Sequence, residues 1–150
     1  MSSPNGSRSP EAVARKFLTA LGNQDTDQAA SCFAPDIVQE MPFAPPGFPD
    51  RREGYDAVRQ MYAALPQLTR SIEFVVLNAY PITDGEHVLV EFQGKIVQNS
   101  GSVYDNHYFG LFRVIDGLIS NYREIFNPVI LLNSLTAADV EAAAELALAD

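Results

Sequence analysis

Residues 104–128 read YDNHYFGLFRVIDGLISNYREIFNP. Aromatic and aliphatic side chains dominate the stretch, and Asp116-Gly117 interrupts it. Asp-Gly between two such runs is a strong signal for a two-residue hairpin turn, so the segment predicts two antiparallel strands, 103–115 and 118–127. Two ionisable residues, His107 and Glu124, lie where sheet core is expected.

The same grammar extends upstream. Runs rich in Val, Ile, Phe and Tyr at 70–82 and 86–98 flank Asp84-Gly85, and Asn99-Ser100-Gly101 supplies a third turn. Before this meander the spacing predicts helices. Ser9-Pro10-Glu11 reads as an N-cap, a first-turn proline and an acid facing the helix dipole. Val13, Phe17, Leu18 and Leu21 then recur at helical spacing until Gly22. Asp25 caps a second short helix through Phe33, and Ala34-Pro35-Asp36 breaks it. Ile37 to Phe43 reads as a short strand, 44–52 as an apolar proline-rich loop, and 54–65 as a third helix stopped by Pro66. Thr136-Ala-Ala-Asp139 opens a C-terminal helix with a capping box. Helices followed by a meander predict an α+β domain, with helices packed on one face of a curved sheet and the other face open to a partner. The expected organisation is a disordered tail over 1–8, the domain over 9–134, and a helical tail over 135–150.

With Ile115 opposite Leu118 and no irregularity, one sheet face holds His107, Phe109, Leu111, Tyr122, Glu124 and Phe126. It is the more apolar face, so it is expected to be the concave one, with Tyr108, Phe112 and Ile125 on the convex side. His107 and Glu124 are then diagonal neighbours, roughly 7–8 Å apart. An unpaired carboxylate is costly to bury. An elevated pKa, a histidine partner or a solvated cavity relieves the cost, and each makes a useful general acid or base. A structural carboxylate satisfied by Arg123 of another chain or by an amide is the plainer reading, and so is a His107 bonded to Tyr122. Phe43 could form a lid, and Met61 and Tyr62 face the sheet from the third helix as core or pocket wall.

Composition narrows the classes. The 150 residues suffice for one ordinary domain. A net charge of −9 disfavours nucleic acid and anionic membranes as partners. Cys32 is the single cysteine, and it reads as a buried hydrophobe on a helix. Two histidines on different hairpins make a weak metal argument, so neither a metal nor a cofactor is expected. No run of 18 apolar residues and no apolar leader occurs, which points to a cytoplasmic setting.

The order of elements resembles the nuclear transport factor 2-like cone fold of the SnoaL-like polyketide cyclases. The hairpin is similar to a segment of the phenazine-biosynthesis A/B family, carried by Tyr104, Asn106, His107, Tyr108, Phe112, Asp116, Gly117, Ile119, Arg123, Glu124, Ile125 and Asn127. The resemblance implies an acid/base role for Glu124. The chain departs from that family at Met61, where a histidine stands on the third helix. It departs from ketosteroid isomerases at Met41, where an aspartate precedes the proline.

These readings predict a cofactor-independent enzyme of secondary metabolism. It would cyclise, isomerise, condense or dehydrate an apolar oxygenated molecule, with Glu124 and His107 moving the proton. Tyr122, Phe126, Phe109, Leu111, Met41, Phe43, Met61 and Tyr62 would surround the substrate. A non-catalytic binding or interaction domain is the rival. A homodimer through the convex face is expected.

Overall fold

In a computed structural model describing residues 6–148, Ser9 caps helix α1 (Pro10–Gly22): its side chain accepts from the Ala12 amide at 3.2 Å. The stripe Val13, Ala14, Phe17, Leu18 and Leu21 is buried. Phe17, wholly buried, packs its ring against Phe33, Tyr62, Phe112 and Tyr122. Asp25 caps α2 (Thr26–Ala30). Strand β1 (Phe33–Glu40) begins where the sequence predicted a break and ends before Phe43. Pro35 falls in an irregular stretch of β1, between its pairings at Phe33 and Val38, where a missing N–H is tolerated.

The proline-rich segment ends in a short strand that its composition hid, β2 (Arg51–Glu53). Helix α3 (Tyr55–Ala63) and the turn-long α4 (Leu65–Leu68) follow. The meander is β3 (Thr69–Pro81), β4 (His87–Gln98), β5 (Val103–Ile115) and β6 (Leu118–Phe126), within a residue or so of expectation. Asn127 caps α5 (Pro128–Ser134), which the sequence reading missed. Helix α6 (Ala137–Leu148) opens with the expected reciprocal box, Asp139 accepting from the Thr136 amide and Thr136 from the Asp139 amide.

The six strands form one mixed sheet in the order β2-β1-β6-β5-β4-β3. Every pairing is antiparallel except β1 with β6. This is the α+β architecture expected, with α1 lying across the inner face. Residues 1–5 of the expected tail lie outside the described residues. Gly6–Arg8 form a 3-10 turn, and the Arg8 guanidinium donates to the Asp116 carbonyl, pinning the β5/β6 turn.

The register of that hairpin corrects the sequence reading. Asp116 and Gly117 both have positive φ, 52° and 78°, as the tight turn demands, and Ile115 does face Leu118. After Val114↔Ile119, however, Arg113 pairs with Asn121, so Ser120 is skipped as a bulge. From there Tyr108, Gly110 and Phe112 share the inner face with Tyr122, Glu124 and Phe126. His107, Phe109 and Leu111 turn outward with Arg123 and Ile125. Burial agrees: Tyr108 and Phe112 are 4% and 0% exposed, Phe109 and Ile125 37% and 38%.

Two glycines make the inner face work. The rings of Phe112 and Tyr122 stack with centroids 4.1 Å apart, and those of Phe92 and Tyr108 at 4.8 Å. A Cβ on Gly110 would come within 2.8 Å of Tyr122 and 2.9 Å of Phe112; one on Gly94 within 2.8 Å of Phe74. Gly110→Ala is therefore expected to destabilise by about 1–3 kcal/mol, as overpacking does. For a domain of this size that is a drop of roughly 2–4 °C in Tm per kcal/mol, readable by calorimetry. An unchanged Tm would contradict the stack.

Candidate functional site

Alternation places three β6 residues of interest on the inner face: Tyr122, Glu124 and Phe126. Glu124 is half-buried as a residue, with its carboxyl deep among protein atoms. The Tyr122 hydroxyl donates to Glu124 Oε2 at 2.7 Å. Burial pushes the Glu124 carboxyl up to about 7, against the opposing pull of that hydrogen bond. The tyrosines around it respond in kind. Burial first, then the Glu124 charge, pushes Tyr62, Tyr108 and Tyr122 well above their ordinary values, so all remain neutral donors.

Gln39 completes the group. It is 1% exposed, lies opposite Tyr122 across the β1/β6 pairing, and its carboxamide adjoins the Tyr62 hydroxyl. Asn106 supports the rim. Its amide donates to the Tyr104 hydroxyl at 2.8 Å and the Asn127 carbonyl at 3.0 Å, while its oxygen accepts from the amides of His107 and Asn127. The result is one weak acid ringed by phenols, able to give or take a proton near neutral pH.

The structure assembles some of the expected residues and separates others. Glu124, Tyr122, Phe126 and Tyr62 share the inner face, with Met41 and Met61 packed against the core. His107 is a correction: it points outward, its Nε2 2.7 Å from Glu91 Oε2, so it lies on the opposite face of the sheet from Glu124 and does not orient it. Phe109 and Leu111 are corrected with it, by the same bulge. Phe43 is 57% exposed. Glu40 also faces outward, against Arg51 at 3.5 Å and Arg123 at 3.3 Å.

Gln39, Tyr108 and Asn106 were missed. The signal for Gln39 was its place in phase with Ile37 on β1, a polar residue on an apolar beat. Asp84, Glu86 and His87 bring three possible metal-ligating atoms within 4.8 Å of one another. Asp84 accepts from two turn amides and from the His87 ring, and Glu86 is held by Arg113 at 3.0 Å, so the turn itself accounts for the cluster. Two open depressions, of about 430 and 520 Å³, lie on the outer face. The first is walled by His107, Gln93 and Lys95, the second by Leu111 and Arg113, so neither reaches Glu124. Among the described residues no helix is long and apolar enough to cross a membrane.

A mixed sheet with helices across its inner face and an ionisable group inside defines a nuclear transport factor 2-like protein. Residues 14–122 match the SnoaL-like domain, and the chain belongs to that family. It is 32% identical to an uncharacterised PhzA/B-like protein of Pseudomonas aeruginosa, over 86% of this chain and 90% of that one. Many solved structures share the fold, two crystal structures among them. One, of a Bacillus subtilis protein with a suggested isomerase role, has a TM-score of 0.77, 26% identity, and covers 83% of this chain and 91% of that one. The other, of a phenazine biosynthesis-related protein from P. aeruginosa, has a TM-score of 0.68, 23% identity, and covers 82% and 84%.

The raised carboxyl has a consequence for stability. Glu124 titrates near 7 when folded and at its ordinary 4.5 when unfolded. Between these values the native state holds more protons, so its contribution is fully present below about pH 4.5 and is lost as pH rises through about 7. Thermal unfolding from pH 4.5 to 8 should show this decline, and Glu124→Gln should flatten it and be the more stable protein at pH 8. Parallel profiles for the two proteins would contradict the shift.

Proposed function

We propose that the chain is a cofactor-independent enzyme of secondary metabolism that moves a proton on an apolar, oxygenated small molecule through Glu124. The single observation that carries the reading is a carboxyl lifted to about 7 by burial and held by a neutral tyrosine. At neutral pH such a group is populated in both forms. It can take a proton from carbon beside a carbonyl and return it elsewhere, the common core of isomerisation, cyclisation, condensation and dehydration. Tyr62 and Tyr108, kept neutral, would donate to oxygen as charge gathers on it. The suggested isomerase role of one fold relative is in keeping with this chemistry.

Binding without turnover is the second reading. What favours it over turnover is the dense filling around Glu124, which leaves little room for a substrate at the carboxyl: Tyr62, Tyr108, Tyr122 and Phe126 are each 7% exposed or less. Compounds that raise Tm in a metabolite library, followed by turnover assays on the hits, separate the two. With a turned-over compound in hand, Glu124→Gln should lower kcat roughly 10²–10⁴-fold, the usual share of a general acid or base. His107→Ala should change it little. Near-wild-type turnover by Glu124→Gln would exclude proton transfer by this residue.

The proposed working form is a homodimer joined through the outer sheet face. Tyr108 and Phe112, expected there from sequence, are core instead. Val75, Phe109 and Ile125, 49%, 37% and 38% exposed, form the apolar surface in their place. Such a patch pairs with itself across a two-fold axis. Sedimentation at micromolar concentration should give twice the 16.4 kDa chain mass, and Ile125→Glu should give monomers that still fold. A wild-type monomer would refute the dimer.

A further inference from the structure

We propose that Arg52 forms a subsite for an anionic oxygen group, a carboxylate or similar oxyanion, on the ligand that Glu124 acts upon, with Gln39 Oε1 beside it to accept from a ligand hydroxyl or N–H. The inference rests on the small-molecule reading above and adds a substrate class to it: an apolar body with an acidic end.

The placement comes from the sheet. Gln39 pairs with Arg52 across β1/β2 and with Tyr122 across β1/β6. Directly paired residues point to the same side, so Arg52, Gln39 and Tyr122 form one row on the inner face. Glu124 lies two residues beyond Tyr122 on that face. The neighbours of Arg52 point the other way: Arg51 and Glu53 are exposed and joined at 2.6 Å.

Among the described residues, the other arginines are accounted for. Arg15, Arg51, Arg59, Arg113 and Arg123 each have a carboxylate at 3.7 Å or less. Arg8 and Arg70 donate to backbone carbonyls. Arg52 has no such partner, and its buried Nε makes no hydrogen bond. Beside it, the buried Gln39 Oε1 is also unpartnered.

Buried polar atoms without partners are costly, more so on a charged group. The guanidinium fork matches an oxyanion in shape and charge, and Gln39 Oε1 would take a hydroxyl or N–H beside it. With Glu124 two residues beyond the far end of the row, a ligand anchored at Arg52 would be held in one orientation toward the acid. The alternative is that Gln39 and Arg52 close on each other and serve only the fold.

Two fluorescent probes test this. 8-Anilinonaphthalene-1-sulfonate carries an oxyanion; N-phenyl-1-naphthylamine has the same aromatic body without it. The sulfonate should bind wild type about tenfold more tightly, the lower end of what a hydrogen bond to a charged group contributes. Arg52→Gln should abolish that preference while leaving the neutral probe unaffected, and Arg52→Lys should keep part of it. Glu124→Gln removes a carboxyl but leaves Arg52 intact, so the sulfonate should still bind more tightly than the neutral probe, and a failure of proton transfer is separable from a failure of the subsite. Equal binding of the two probes, or a preference that survives Arg52→Gln, overturns the proposal. So does an Arg52→Gln protein whose only change is a lower Tm, which would assign Arg52 to the fold. Binding of neither probe would overturn the small-molecule reading together with the subsite.

Discussion

Ser120 occupies a place in β6 with no partner on β5, and the composition of the inner surface follows from it. A strand alternates strictly, so one unpaired residue exchanges the faces of everything beyond it relative to its neighbour. Without the bulge, Tyr122 and Glu124 would lie beside His107 and Phe109. With it they lie beside Tyr108, Gly110 and Phe112, and the space above Gly110 admits the Phe112–Tyr122 stack. Phe17 then closes the layer from α1, touching both rings. The same step leaves Glu124 facing aromatic groups rather than a histidine, so its charge is raised in cost rather than neutralised.

That electrostatic setting joins the fold to the proposed chemistry. A carboxylate beside His107 would gain a hydrogen-bond partner and titrate lower, as Glu91 does, held down first by the Asn78 amide and then by that histidine. Glu124 has only a neutral hydroxyl donor, which recovers part of the burial cost and leaves the carboxyl high. Outside, charges are satisfied locally, in the Glu40, Arg51 and Arg123 cluster and in Glu86 with Arg113. The protein thus separates satisfied charge on the outer face from frustrated polarity on the inner one, where Glu124, Gln39 and Arg52 lie.

Much of the fold was legible in the sequence. The meander declared itself through period-two runs and Asp-Gly turns, and α1, α2 and α6 through their caps. The placement of Glu124 and Tyr122 on the inner face, with Tyr62 packed against it, was legible too. The bulge was not, because nothing in ISNYRE distinguishes a skipped serine from a paired one. Gly110 added to the error: a glycine scores as neither apolar nor polar, so the face holding Tyr108 and Phe112 looked less like core than the face holding Phe109 and Leu111. Gln39 and Arg52 escaped notice because they acquire meaning only when β2, hidden in a proline-rich stretch, is placed beside β1.

The central claim is that burial keeps the Glu124 carboxyl protonated into the neutral range. The direct measurement is a ¹³C NMR titration of glutamate side-chain carboxyls from pH 3 to 9, with Glu124→Gln assigning the resonance by its loss. A midpoint close to 7 for Glu124, apart from the other glutamates, is the result expected. A midpoint near 4.5, alongside exposed glutamates, would contradict the account.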